Sequence, residues 1–230
     1  MLRWTSVGVG LAAAAYAGWV GATWFRYGRR GRAPAGPRDR LLDGFMPEYD
    51  VAERHFAYIA APPEVALRAA EETDLAASPF IRAIFRARAA FLGARPDDTP
   101  RPRGLLALTQ SIGWSVLAEV PGREVVMGAV TQPWMPNVVF RALPPDAFRD
   151  FQEPGYVKIA WTLRADPAGP EHSVFRTDTR AVATDAAART RFRWYWARFS
   201  PGIILIRRLM LNQLRKEAER RTATTAAGTT

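Results

Sequence analysis

The sequence predicts an α+β fold in which a curved antiparallel sheet is closed by one long C-terminal helix, preceded by one N-terminal transmembrane helix. Three observations carry this. Alternating apolar and polar segments come in pairs around turn sequences, Pro121-Gly122 and Asp166-Pro167-Ala168-Gly169-Pro170, which is the pattern of β-hairpins. The stretch RFRWYWARFSPGIILIRRLMLNQLRK, residues 191 to 216, has apolar residues at helical spacing, but Arg191, Arg193, Arg198, Arg207 and Arg208 interrupt it too often for a membrane span. Between Arg3 and Arg26, by contrast, lie 22 uncharged residues, long enough as a helix to cross a bilayer core.

Trp4, Trp19 and Trp24 stand where interfacial anchors would, and residues 4–25 are expected to be a transmembrane anchor. Arg26, Arg29, Arg30, Arg32, Arg38 and Arg40 follow it, so the positive-inside rule predicts a single-pass protein of the cell membrane with its domain facing the cytoplasm. Ala15-Tyr16-Ala17 before Gly18 also fits a cleaved signal peptide, but exported chains seldom begin with such an arginine block. Residues 26–48, rich in Arg, Pro and Gly, are expected to be a flexible linker at the membrane surface, residues 49–220 the folded domain, and residues 221–230 a disordered tail.

Within the domain, EYDVAERHFAYIAAP reads as a strand with Phe56 and Tyr58 on one face and Glu53 and His55 on the other. Pro63 starts a short helix with Val65, Ala69 and Glu72 at helical spacing. Ser78 caps a second helix whose apolar stripe is Phe80, Ile81, Ile84, Phe85 and Ala89, with Gly93 as its stop. Two hairpins follow, separated by a covering segment with a short strand at Val138 to Arg141 and a helical turn begun at Pro145. The final helix starts after Thr184 or Asp185 as N-cap and buries Ala188, Phe192, Tyr195, Trp196 and Phe199. Pro201 should kink it, after which Ile203, Ile206, Met210 and Leu214 form a new stripe.

A chain of 230 residues with 48% hydrophobic content can build one sizeable core. The absence of cysteine excludes disulfides, thiolate nucleophiles and Cys-based metal sites. The net charge of +10 rests on 30 Arg and only 2 Lys, a balance that favours acidic partners or reflects coding bias.

The strand followed by AAPPEVALRA, the phrase FRTDTRAVATD leading into FRWYWARFSPG, and the element order between them resemble the START-like, or SRPBCC, helix-grip superfamily. Polyketide cyclases, pathogenesis-related class 10 proteins and lipid-transfer domains belong to it. The resemblance covers about residues 49 to 220 and implies a hydrophobic cavity between sheet and helix rather than a particular reaction.

Pocket candidates follow from the inward faces. Ile159, Trp161 and Leu163 should face the helix while Lys158, Thr162 and Arg164 face solvent; in the last strand Phe175, Thr177 and Thr179 should face inward, opposite Arg176, Asp178 and Arg180. Trp134, between Pro133 and Pro136, is placed at a cavity mouth or in the core, and Trp196 on the helix face that closes the cavity. Arg207 falls in the middle of the apolar arc of the last helix, whereas Arg208 points away; a buried arginine there must snorkel, pair with a carboxylate or meet an anionic ligand group. The candidate ligand-binding set is therefore Trp134, Trp161, Phe175, Thr177, Thr179, Trp196 and Arg207.

No catalytic triad or metal-ligand spacing surrounds His55 or His172, and no cofactor or metal is expected. The reading is a membrane-tethered domain that binds a hydrophobic or amphipathic small molecule, lipid or polyketide-like, without covalent chemistry. The alternatives are a cyclase or dehydratase in which His55 moves a proton, and a fully packed interaction domain. Nucleic acid is not an expected partner, since the sequence offers no aromatic platform on an exposed sheet.

Overall fold

The computed structural model describes residues 2–27, 39–95 and 99–227. Six strands form one antiparallel sheet: β1 (Val51–Ile59), β2 (Ser115–Val120), β3 (Glu124–Thr131), β4 (Phe140–Arg141), β5 (Val157–Pro167) and β6 (Ser173–Ala183). The order is β1-β6-β5-β3-β2, with β4 on β3. Gly122 turns the β2–β3 hairpin in the left-handed region, at φ 71°, where a side chain would be strained. Around the sheet lie α1 (Leu2–Arg26), α2 (Arg40–Phe45), α3 (Pro63–Glu71), α4 (Pro79–Leu92), α5 (Leu105–Ser111), α6 (Pro145–Asp150) and α7 (Ala186–Ala227).

α7 is one continuous helix of 42 residues, a rod of about 63 Å. Asp185 caps it, its carboxylate accepting the Ala188 N–H at 2.8 Å. The helix runs through Pro201 and continues to Ala227, so most of the segment expected as a disordered tail is helical. It lies along the concave face of the sheet and meets two apolar clusters there. Phe192 and Trp196 pack near its start on Val51, Val157 and Ala181. Met210, Leu211 and Leu214 pack further on against Trp161, Leu163 and Phe175, together with α3 and α5.

The opposite face of the sheet is covered as well, which the sequence reading did not foresee. Leu42, Phe45 and Met46 of the α2 region and Phe148 of α6 bury Val126, Val130 and Ala160. Gly128 makes room for this, since a Cβ there would meet Phe148 Cε2 at 3.1 Å and Leu117 Cδ1 at 2.4 Å. Three expectations are corrected by this layer. Residues 40–48 are not linker but part of the domain. Lys158 and Thr162, expected in solvent, are buried, Lys158 beneath α6 and Thr162 beside Asp178. Lys158 donates to the Arg149 carbonyl at 2.7 Å and sits over the Phe148 ring, and burial depresses its pKa. Arg180 is buried too, donating to the Met46 carbonyl and to Asp43, both at 2.7 Å.

The transmembrane expectation is also corrected: among the described residues no helix is long and apolar enough to cross a membrane. The Gly and Ala residues that fill the uncharged stretch dilute its hydropathy. α1 lies against α7 instead, where Tyr16 donates to the Arg198 carbonyl at 3.0 Å and Trp19 to Ser200 Oγ at 3.1 Å. Arg193 returns a hydrogen bond from Nε to the Trp24 carbonyl at 2.6 Å, its guanidinium resting on the Trp24 ring. Most of the arginine block after α1 falls outside the described residues.

Two helix phases differ from expectation. α3 buries Ala66, Leu67, Ala69 and Ala70, with Glu72 exposed. α4 is capped by Ser78 and stopped by Gly93 as expected, yet Ile81 alone of its stripe is buried, and Phe80 and Phe85 are exposed.

Because Leu42 is fully enclosed, Leu42→Ala should destabilise the domain by about 2–5 kcal/mol in urea unfolding. A chain in which residues 39–48 were merely a linker would show almost no change.

Candidate functional site

The two apolar clusters under α7 are separated by a polar belt. Its residues come from three elements in register: Glu53 pairs with Thr179 and His55 with Thr177 across β1 and β6, and Arg207 reaches them from α7. β-Strand alternation places Glu53, His55, Thr177 and Thr179 on the concave face, and the helical wheel brings Arg207 onto the same face as Ile203 and Met210. Arg207 Nη1 donates to Thr177 Oγ1 at 2.9 Å. Among the described residues no carboxylate lies within ion-pair distance of Arg207. Tyr27, just past α1, closes one end of the belt by donating to Glu53 and setting its ring edge-on to Trp196.

Several belt atoms are enclosed without a hydrogen-bond partner among the described residues: His55 Nε2, Thr179 Oγ1 and Arg207 Nε. Such groups are rare in folded proteins, because each lost partner costs about 1–3 kcal/mol. Electrostatics here follows burial. Desolvation lowers the Arg207 pKa to about 10, only partly opposed by Glu53 and Asp178. Burial first, and then the Arg207 charge, depress the His55 pKa, so the imidazole is neutral at physiological pH. Burial also raises the Tyr27 hydroxyl pKa, with Glu53 adding to it.

Of the residues expected to line a pocket, Thr177, Thr179 and Arg207 come together. Trp161 and Phe175 lie in the apolar cluster on one side of the belt, and Trp196 in the cluster on the other. Trp134 packs against the Trp196 cluster. Glu53 and Tyr27 were missed. Tyr27 sits in the expected linker, and Glu53 has no sequence signal beyond its alternation with His55. His172 is exposed beside its turn. Among the described residues no group of three His, Asp or Glu side chains is placed to hold a metal ion.

Two grooves open elsewhere. One, of about 450 Å³, runs between α3 and the end of α7 beside Glu64, Arg68 and Arg221. The other, of about 250 Å³, lies on the outer face of the sheet beside Arg54, Phe56, Tyr58, Arg164, Arg176 and Asp178. Neither opens onto the belt. Phe56 and Tyr58 project outward, 59% and 71% exposed with their rings edge-to-face, so the sheet does carry an exposed aromatic pair. Each neighbouring guanidinium is tied to a carboxylate, Arg54 to Asp178 and both Arg164 and Arg176 to Asp166. Each of these guanidiniums is thus already engaged by a carboxylate at the groove. Beneath it Glu124 is buried beside Asp39, and desolvation together with that second carboxyl raises its pKa to about 8, although Arg164 stands 3.7 Å away.

No protein-family model matches the chain, and no curated protein matches it. Solved structures similar to it include protein CV1439 from Chromobacterium violaceum, 13% identical over 73% of this chain and 96% of that one, with a TM-score of 0.33. A hypothetical protein from Helicobacter pylori, jhp0584, is 7% identical over 82% of this chain and 98% of that one, with a TM-score of 0.38. The Zhui aromatase/cyclase from Streptomyces sp. R1128 is 15% identical over 75% of this chain and 95% of that one, with a TM-score of 0.24. Scores this low carry no argument for function, which rests on the geometry of this chain.

The raised pKa of Glu124 has a defined sign for stability. The unfolded carboxyl ionises near its ordinary value of 4.5 and the folded one near 8, so the contribution of Glu124 to stability is fully present below pH 4.5 and is lost as pH rises to about 8. Glu124→Gln should match the parent below pH 4.5 and exceed it by a few kcal/mol at pH 8, read by urea unfolding across that range. A gap independent of pH would mean that Glu124 is ionised in the fold.

Proposed function

We propose that the chain binds one amphipathic small molecule between the sheet and α7, with its polar end at His55, Thr177, Thr179 and Arg207 and its apolar part along the neighbouring cluster of Trp161, Phe175 and Met210. The observation that carries this reading is the set of enclosed, unpartnered atoms on facing elements, His55 Nε2, Thr179 Oγ1 and Arg207 Nε. A carboxylate, carbonyl or hydroxyl group placed among them would supply an acceptor to Arg207 Nε and a partner to both the threonine hydroxyl and the neutral imidazole. The flanking apolar clusters suit a hydrocarbon or polyketide-like body.

A second reading is favoured by one feature. His55 is neutral, carries a free Nε2, and lies in the same belt as a cation that would polarise a carbonyl. That is the arrangement for proton transfer next to a carbonyl, as in cyclisation or dehydration. Binding and turnover would then share one site.

Dansyl-labelled undecanoate, an anionic amphiphile, should bind the chain at one saturable site and raise its melting temperature with concentration. Arg207→Met, which keeps the volume and removes the donors, should weaken binding at least about tenfold, while Arg208→Met on the exposed side should leave it unchanged. Absence of saturable binding, or equal effects of the two variants, would leave a packed interaction domain. Turnover would be recognised by a mass change in a bound polyketide that His55→Gln abolishes without abolishing binding.

A further inference from the structure

The outside of the domain is a layer of three helices. α1 and α4 contact opposite flanks of α7. On one flank Trp24 stacks on Trp194 at 4.3 Å between ring centroids and Trp19 bonds Ser200. On the other, Phe91 lies edge-on to Phe199 at 5.5 Å, and Arg88 donates to the Tyr195 hydroxyl at 3.2 Å. At 100° per residue, Trp194, Arg198 and Leu205 fall on the arc of α7 between those flanks, turned away from the sheet, and Trp194, Arg198 and Leu205 are all exposed.

This outer surface combines two properties. It is apolar: Leu11 and Phe25 of α1 are 68% and 75% exposed, and Phe80 and Phe91 of α4 are 71% and 69% exposed. α1 carries no charge between Arg3 and Arg26, so it has no polar face to give to water, and a helix apolar on all sides is stable where protein or lipid covers it. It is also exclusively basic. α1, α4 and α7 as far as Lys216 contain no Asp or Glu, while Arg26, Arg86, Arg191, Arg198 and Arg208 stand exposed among the aromatics.

We propose that the α1–α7–α4 layer docks on the surface of an anionic lipid bilayer. Aromatic rings spread over three helices suit the boundary between headgroups and acyl chains. An arginine array on helices without acidic residues of their own as far as Lys216, with Asp185 before α7 facing Arg191, suits phosphatidylglycerol-type headgroups. The layer then lies on the membrane, without crossing it, and turns the sheet away from it. This surface is separate from the belt and stands or falls independently of ligand binding.

Flotation of the full chain with vesicles of phosphatidylcholine alone, or mixed with phosphatidylglycerol, tests this. Partitioning should be at least about tenfold stronger on the anionic vesicles and weaken with salt. The variant Phe80→Ser and the charge reversal Arg191→Glu/Arg198→Glu should each lower it about tenfold, with melting temperatures unchanged. No partitioning, or equal partitioning into both vesicles, would overturn the proposal. So would a concentration-dependent dimer that shields Trp194 from an aqueous quencher in the absence of lipid, which would assign the face to a second copy of the chain.

Discussion

The long helix is held on the sheet at two separated places, and everything polar between them is held with it. Phe192 and Trp196 fix one end of the contact and Met210 to Leu214 the other. Apolar burial at about 25 cal/mol per Å² makes each of these clusters worth several kcal/mol, enough to keep the intervening turns of helix against the strands. Arg207, Thr177, Thr179 and His55 therefore lose water because of what their neighbours gain. The depressed pKa values of Arg207 and His55 are the electrostatic record of that enforced desolvation. A belt that were only structural would be better served by aliphatic residues, since replacing buried polar groups by packed apolar ones is often neutral or stabilising.

The second face of the sheet explains why the domain begins before β1. A sheet this rich in apolar residues on both sides cannot leave one of them to water, and α2 and α6 cover it from β2 as far as Arg180 and Val182 of β6. Their cover stops short of the groove beside Phe56 and Tyr58, where Arg54 pairs with Asp178 and both Arg164 and Arg176 pair with Asp166. Asp50 ties the same margin to α7, accepting from the Ala183 N–H at 2.8 Å and from Arg189 at 2.9 Å. The helix is thus registered on the sheet by charge at its start and by packing along its length.

What was legible in the sequence follows from how local the determinant is. Period-two alternation and Pro-Gly turn chemistry located β2, β3, β5 and β6, and the helical wheel put Arg207 inward and Arg208 outward. The phase of β1 could not be settled by hydrophobicity, because its aromatics Phe56 and Tyr58 face out and its polar Glu53 and His55 face in. α2 was hidden because Leu42 and Phe45 follow an arginine-rich run that reads as a linker. The burial of Lys158, Thr162 and Arg180 depends on which distant element lands on them, and no local pattern encodes that. The α4 stripe was legible as an amphipathic helix, but not the fact that the domain leaves most of it uncovered.

The chain has only two histidines, one in the belt and one at an exposed turn, and this makes the central claim directly measurable. Long-range proton–nitrogen correlation spectra resolve both imidazoles with and without saturating dansyl-labelled undecanoate. The account predicts that His55 Nε2 shifts as it gains a partner while His172 stays in place. Saturation of the chain with no change at His55 would put the ligand elsewhere and contradict it.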